Sequence, residues 1–277
     1  MFLEGQQMIY DLHTHTTFSD GSEMTAMVAA AEAAGYDGIG LTDHCILIED
    51  AFGRRDSYDL VTTYETRREK IQQLREDRSL RIFDAVELSY VPGTNKQISS
   101  FLDQAGFEYT IGAVHFADVY DYTSSAPYAD CSEEKRLAAV DTYYETLVEL
   151  VESELFDIVA HLDLPERHSL LRGHTTASHY EMVADAIVDS RTVPEINAGR
   201  VFRSLGTCHP APDRFSIFAD RGIEFVLGSD SHTPAELTKR SSYLSELLET
   251  QPAPIIALPE TLTESSKKTP VTETESQ

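Results

Sequence analysis

Six of the ten histidines stand where a short apolar run ends: His13 and His15 in DLHTHTTFSDGS, His44 in LTDH, His115 in IGAVH, His161 in FDIVAH and His232 in GSDSH. Carboxylates share these ends, with Asp43 beside His44, Glu87 in AVELSY and Asp230 two residues before His232. Imidazole together with carboxylate is a donor set for Zn, Fe or Mn, whereas oxygen alone would suit Mg or Ca. Alternate residues of an extended chain share a face, so Asp11, His13 and His15 project together, as do Asp230 and His232. Asp11, one step behind, is placed to orient an imidazole. One HxH proves little, since polar residues often end strands; Asp43–His44 alone could open a helix and Ser229–Ser231 could be a turn. Repetition at five strand ends points to a metal site.

Groups spread from residue 13 to 232 can meet only if the runs carrying them are neighbouring strands with the same end up. Seven runs have strand character: MIYDLH, YDGIGLTDH, RIFDAVELSY, FEYTIGAVH, FDIVAH, TVPEIN and IEFVLGSDSH. Between most of them lie helix-patterned segments: EMTAMVAAAEAAGY with Gly35 as its stop, YDLVTTYETRREKIQQLRE, SEEKRLAAVDTYYETLVELVE, HYEMVADAIVDS and DRFSIFADR. Strands joined by helical crossovers form a parallel sheet, and closing it into a barrel removes the edges; the pattern also admits an open sheet. In a parallel barrel the C-terminal strand ends converge on one mouth. A chain of 277 residues accommodates one such domain, read here as residues 1–250. Residues 251–277, rich in Pro, Thr, Ser and Glu, read as a largely disordered C-terminal extension.

Composition narrows the partners. Lys and Arg number 22 against 47 Asp and Glu, a formal net charge of −25 that repels phosphate backbones and makes a nucleic-acid ligand unlikely. Cys45, Cys131 and Cys208 are odd in number and form no CxxC pair, against a disulfide framework or a zinc ribbon. No apolar run approaches the ~18 residues of a membrane span, and MFLEGQQMIY lacks the basic start and apolar core of a signal peptide. A cytoplasmic protein is expected.

The motifs DLHTHTTFSDGS, LTDH, IGAVH with AHLD, and GSDSH together resemble the PHP (polymerase and histidinol phosphatase) superfamily of metal-dependent phosphoesterases, from about Tyr10 to Thr233. Within it, FEYTIGAVHF, FDIVAHLDL, PEIN and FVLGSDSH are most similar to stand-alone histidinol-phosphatases. The resemblance implies a distorted seven-stranded (β/α)7 TIM-like barrel, the strand number counted above, with two or three divalent ions (Zn, Mn or Fe) at the C-terminal strand ends. It implies His13, His15, Glu87 and Asp230 around a first ion, Glu87 reaching a second with His115 and His161, and Asp20, His44 and His232 around a third. Asp20 stands where some relatives carry histidine. Glu87 has the thinnest motif; Asp84 is its nearest competitor, three residues earlier on the opposite strand face. Glu87 and Asp230 are also the residues expected to be catalytic. In EINAGRVFRS, Asn197, Gly199, Arg200 and Arg203 depart slightly from the family spacing. One of Arg200 and Arg203 is expected to bind phosphate, the planar fork donating two parallel hydrogen bonds.

The activity expected from the resemblance is hydrolysis of a small phosphate monoester, L-histidinol phosphate first, giving histidinol and phosphate in histidine biosynthesis. Another PHP substrate, such as a nucleotide, a sugar phosphate or a DNA 3′ end, is the alternative, and a non-catalytic metal-binding protein a third reading. The proton donor for the leaving group stays open between a water and a histidine outside the donor set. His168 or His174, after the AHLD strand, could contact substrate as a lid or be solvated. His179 and His209 receive no role.

Overall fold

The computed structural model describes residues 9–47, 60–76 and 78–250. The apolar runs become strands because they are buried on both faces, between a barrel interior and a jacket of helices. In chain order they are β1 (Tyr10–Thr14), β2 (Gly38–Leu41), its short continuation β3 (His44–Cys45), β4 (Arg81–Ser89) and β5 (Tyr109–Ala113). A small antiparallel hairpin of β6 (Phe116–Ala117) and β7 (Tyr120–Asp121) follows, then β8 (Ile158–Val159), β9 (Val193–Asn197) and β10 (Val226–Gly228). Seven of them pair in the order β1-β2-β4-β5-β8-β9-β10, every pair parallel, while β3 adds to β4 with His44 opposite Glu87.

The first and last strands complete the ring at their C-terminal ends. The Asp230 amide donates to the His13 carbonyl at 2.8 Å and the His15 amide to the Ser231 carbonyl at 3.0 Å. The result is the distorted seven-stranded barrel expected. Face assignment follows from β4: Asp84 receives hydrogen bonds from Arg67 and Arg68 on the outer helix layer, so Phe83, Ala85 and Glu87 face inward. Phe83 and Ala85 join Tyr109, Ile111, Ile158 and Val226 in an apolar plug, and Glu87 sits above it at the mouth.

The helices are α1 (Met24–Ala34), α2 (Leu60–Glu76), α3 (Asn95–Ala105), α4 (Glu133–Glu152), α5 (Ala177–Val188), α6 (Phe215–Ala219) and α7 (Pro234–Thr250). α1 ends as the sequence suggests, on Gly35 in the left-handed region at φ 82°. α3 and α7 were not anticipated. Each buries a narrow stripe, Ile98, Phe101 and Ala105 in α3, and Leu237, Leu244 and Leu247 in α7, among mostly polar residues. The extension expected at 251–277 lies outside the described residues, as do Met8 of the first run and Tyr58 and Asp59 of the second helix pattern.

Candidate metal centre

Glu87 lies at the middle of the mouth, 1% exposed, with five imidazoles around its carboxylate. Its Oε2 is 2.7 Å from His44 Nδ1, 3.3 Å from His13 Nε2 and 3.6 Å from His15 Nε2. Its Oε1 is 3.2 Å from His161 Nε2 and 3.4 Å from His115 Nε2. Asp230 Oδ1 stands 3.3 Å from His15 Nε2. Asp20 Oδ1 stands 3.2 Å from His232 Nε2 and 3.7 Å from His44 Nε2. The His15 ring is stacked between those of His44 and His232, with centroids 4.3 and 4.2 Å away. All nine residues named as ligand candidates from the sequence therefore meet at one mouth. Asp84, the competitor of Glu87, is outside the barrel.

Two of these residues sit in strained backbone. His161 has φ 26° and Asp230 φ 52°, the left-handed region that non-glycine residues occupy at a cost of roughly 1–3 kcal/mol. Hydrogen bonds from the surroundings hold both. Tyr143 donates its hydroxyl to the His161 carbonyl at 2.7 Å, and the His161 amide donates to Glu195 Oε2 at 3.1 Å. Arg240 of α7, also buried, donates to the carbonyls of Ser229, Asp230 and Gly199.

The donor set fits divalent ions. Three groups bring their donor atoms within 4.8 Å of one another: His13, His15 and Glu87; His44, Glu87 and His115; and His15, Asp20, His44 and His232. His13 Nε2, both nitrogens of His15, Glu87 Oε2 and His161 Nδ1 are buried with no hydrogen-bond partner among the described residues. Such orphaned donor and acceptor atoms are costly unless a cation engages them. Protonation cannot serve all of them together. Burial, then the neighbouring His232 and His44, push His15 down to about 3, which leaves a neutral ring with a free lone pair. His232 rises to about 9, because Asp20 and Asp230 outweigh its burial. Glu87 is held well below the usual carboxylate range: burial opposes its charge, but His44, His13 and His115 outweigh it.

Behind these groups stands Glu195, which the sequence reading passed over inside PEIN. Its Oε1 lies 2.8 Å from His13 Nδ1, and its Oε2 accepts from the His161 amide and, at 3.0 Å, from Asn197 Nδ2. A carboxylate on Nδ1 keeps that nitrogen protonated and leaves Nε2, the atom facing Glu87, to donate its lone pair. Glycine is required at Gly228 for this contact, since a Cβ there would lie 1.7 Å from Glu195 Oε1. The one sequence cue was an acidic residue within an otherwise buried strand. Asp11, expected in this role, does not fill it. The register of β1 on β2 shifts between Asp11 and Thr14, which interrupts the alternation that would align Asp11 with the rings. Its Oδ1 accepts instead from the backbone amides of His13 and Ser229, at 3.3 and 2.9 Å. Glu195→Gln should lower metal affinity roughly 10–100-fold, because one amide NH2 must then face a donor. Competition with a chelator measures this, and unchanged affinity would remove Glu195 from the support of the site.

The mouth opens into a cavity of about 850 Å³, counting its open end. Besides the donor set it is lined by Arg167, Arg200 and His209, with Ile46, Phe116 and Leu164 as apolar wall. Of the two arginines named from the sequence, Arg200 lines this cavity, where the charge of Asp230 acts on it. Arg203 turns outward, 61% exposed, where Glu236 holds it at 3.4 Å, so it does not reach the site. Arg167 was missed; it ends a short 3-10 turn that starts three residues after His161. Of the two readings for His168 and His174, a lid contact or a solvated loop, His168 fits neither and His174 is half-buried away from the cavity. His168 is buried with Nε2 2.6 Å from the Tyr122 carbonyl, and His174 faces Glu133 at 3.4 Å. His179 accepts from the Thr176 amide at the start of α5 and stacks on Tyr144.

The PHP domain profile matches residues 11–198. The chain is 30% identical over 232 residues to a probable histidinol-phosphatase of Deinococcus radiodurans, covering 82% of this chain and 87% of that one. It is 25% identical over 234 residues to a probable histidinol-phosphatase of Clostridium acetobutylicum, covering 81% and 87%. The fold superposes with TM-score 0.68 on the histidinol phosphate phosphatase of Lactococcus lactis subsp. lactis, whose crystal structure is a complex with zinc, L-histidinol and phosphate; identity is 19%, over 86% of this chain and 92% of that one. With the profile spanning well over half of its length and a 30% identical relative matched over more than four fifths of both chains, the chain belongs to the PHP domain family, among its histidinol-phosphatase-like hydrolases.

Proposed function

We propose that the protein is a metal-dependent phosphatase that hydrolyses L-histidinol phosphate to L-histidinol and inorganic phosphate. The observation that carries this reading is the meeting, in one cavity, of a nine-residue donor set for divalent ions with two guanidinium groups, Arg200 and Arg167. His13, His15, Glu87 and Asp230, then Glu87 with His115 and His161, then Asp20, His44 and His232, would hold two or three ions of Zn, Mn or Fe. Bound there, such ions lower the pKa of water toward ~7 and neutralise phosphate oxygens.

The chain's own residues supply the rest. Arg200 offers a phosphate dianion a planar pair of donors, and its half-buried position strengthens the attraction. The apolar wall of Ile46, Phe116 and Leu164 gives the organic part a dry surface. The dimensions suit a monoester, and the net charge of −25 opposes a nucleic-acid backbone. A store for metal would need no arginine in the cavity beside the donors. None of the described helices is long and apolar enough to cross a membrane, and Cys45, Cys131 and Cys208, which form no disulfide among the described residues, suit a reducing cytoplasm.

The test is a panel of phosphate monoesters given to Mn- or Zn-loaded protein. L-histidinol phosphate should be turned over far faster than simple alkyl or aryl phosphates; equal, slow rates would remove that substrate and leave a phosphatase. Arg200→Ala should cost roughly 10–100-fold in kcat/KM, mostly as a higher KM, the loss expected for charged hydrogen bonds. Arg203→Ala should remain within about twofold of wild type, as befits an exposed pair.

A further inference from the structure

His209 is buried, 1% exposed, and yet its side chain lines the cavity. Its backbone is clipped to the end of β9, exchanging two 2.8 Å hydrogen bonds with Asn197. Its Nδ1 lies 2.5 Å from Asp163 Oδ1, and Tyr180 donates its hydroxyl to Asp163 Oδ2 at 2.6 Å. Asp163 is thus held at both oxygens, and it holds the imidazole in turn. The opposite nitrogen, Nε2, is buried and has no hydrogen-bond partner among the described residues. A buried orphan nitrogen is disfavoured in a group that serves packing alone, and a substrate oxygen in the cavity would supply the missing partner.

On the phosphatase reading above, we infer that His209 protonates the ester oxygen as it leaves, and that Asp163 and Tyr180 are positioning residues that aim it. A carboxylate on Nδ1 keeps that nitrogen protonated, so Nε2 is the atom that gives and regains a proton. The other lining groups are excluded by chemistry or by contact. Arg167 and Arg200 do not give up protons near neutral pH. The six strand-end histidines belong to the proposed donor set, each with a nitrogen within 4 Å of Glu87, Asp230 or Asp20. His168, His174 and His179 do not line the cavity. In the step, the P–O ester bond breaks with its electron pair left on the alkoxide oxygen. Nε2 transfers a proton to that oxygen and the alcohol forms. The attacking water makes the new P–O bond, and the proton it releases passes to solvent, from which His209 is recharged.

An alkoxide needs this proton, whereas 4-nitrophenolate leaves without one, so the role can be read from two esters. Wild type, His209→Gln and Asp163→Asn are compared at saturating L-histidinol phosphate and 4-nitrophenyl phosphate, with metal content and melting temperature measured alongside. His209→Gln should lose on the order of 10²-fold or more in kcat on the alkyl ester, within the range of general-acid catalysis, and less than about threefold on the aryl ester. Asp163→Asn should show the same contrast more weakly. Equal losses on both esters, loss of metal with activity, or no loss on either would overturn the inference. If wild type shows no preference for L-histidinol phosphate, the substrate reading fails separately; the alkyl-to-aryl contrast, taken on whichever alkyl ester turns over, still decides the part played by His209.

Discussion

Glu87→Gln should strip the protein of its ions and lower phosphatase turnover on the order of 10³-fold, the upper range for loss of one preorganised electrostatic group. Five imidazole nitrogens lie between 2.7 and 3.6 Å from the two Glu87 oxygens. Glutamine keeps the shape but removes the negative charge that offsets the cations, and it turns an NH2 toward nitrogens whose lone pairs are needed for ligation. Because both oxygens are engaged, more than one ion should be affected. Elemental analysis after dialysis reads the metal content beside the rate. A variant retaining its full complement of metal and near-normal turnover would show that Glu87 does not join the ions. The apolar plug below Glu87 is untouched, so the variant should still fold, with its seam less stable for want of the ions.

Arg67→Met should cost about 3–5 kcal/mol of stability at neutral pH, the range for breaking a buried ion pair from one side. Arg67, on α2, is fully buried and donates to Asp43 at 2.6 Å, to Asp84 at 2.5 Å, and to the carbonyls of Leu41 and Ala85. Asp43 in turn accepts from the Thr16 amide at 2.6 Å and from the Ser19 hydroxyl at 3.0 Å, and so ties down the loop that carries Asp20, with His44 its own next residue. One guanidinium in the outer layer therefore secures two parts of the donor set. Burial works against the Asp43 charge, but Arg67, His15 and the Thr16 amide outweigh it and hold the carboxyl below its ordinary 3.8. A depressed pKa adds stability that is present above 3.8 and lost as pH falls through the lower folded value. Without Arg67 the cost of burying the charge prevails. The gap between wild type and variant should therefore be widest near pH 7 and narrow below pH ~4, as Asp43 becomes neutral in the variant first. Urea denaturation at the two pH values measures it; a pH-independent gap would assign the loss to packing.

The histidines at the mouth were legible because an apolar run marks a strand and its last residue marks the mouth, so His13, His44 or His161 could be placed without knowing the pairing. Glu87 could be separated from Asp84 by strand parity alone. What was hidden depends on contacts that leave no local trace. The register shift in β1 is not written in DLHTH, and it is why the support of His13 passes from Asp11 to Glu195 on a strand more than 180 residues away. Arg200 and Arg203 differ only in which side of one loop they occupy. His209 takes its place from a main-chain pairing with Asn197 and a carboxylate 46 residues off. α3 and α7 escaped because each buries so few apolar side chains that most of its residues look like loop.

The ring of strands is completed by two main-chain hydrogen bonds, between Asp230 and His13 and between His15 and Ser231. The same residues belong to the proposed donor set, His13 and His15 on the first strand and Asp230 just beyond the last. An ion shared among them would act as a clasp across the seam, tying together two ends of the chain more than 200 residues apart. Metal supply and barrel closure then become one linked equilibrium, and a cell short of metal would lose not only turnover but the mechanical integrity of the seam.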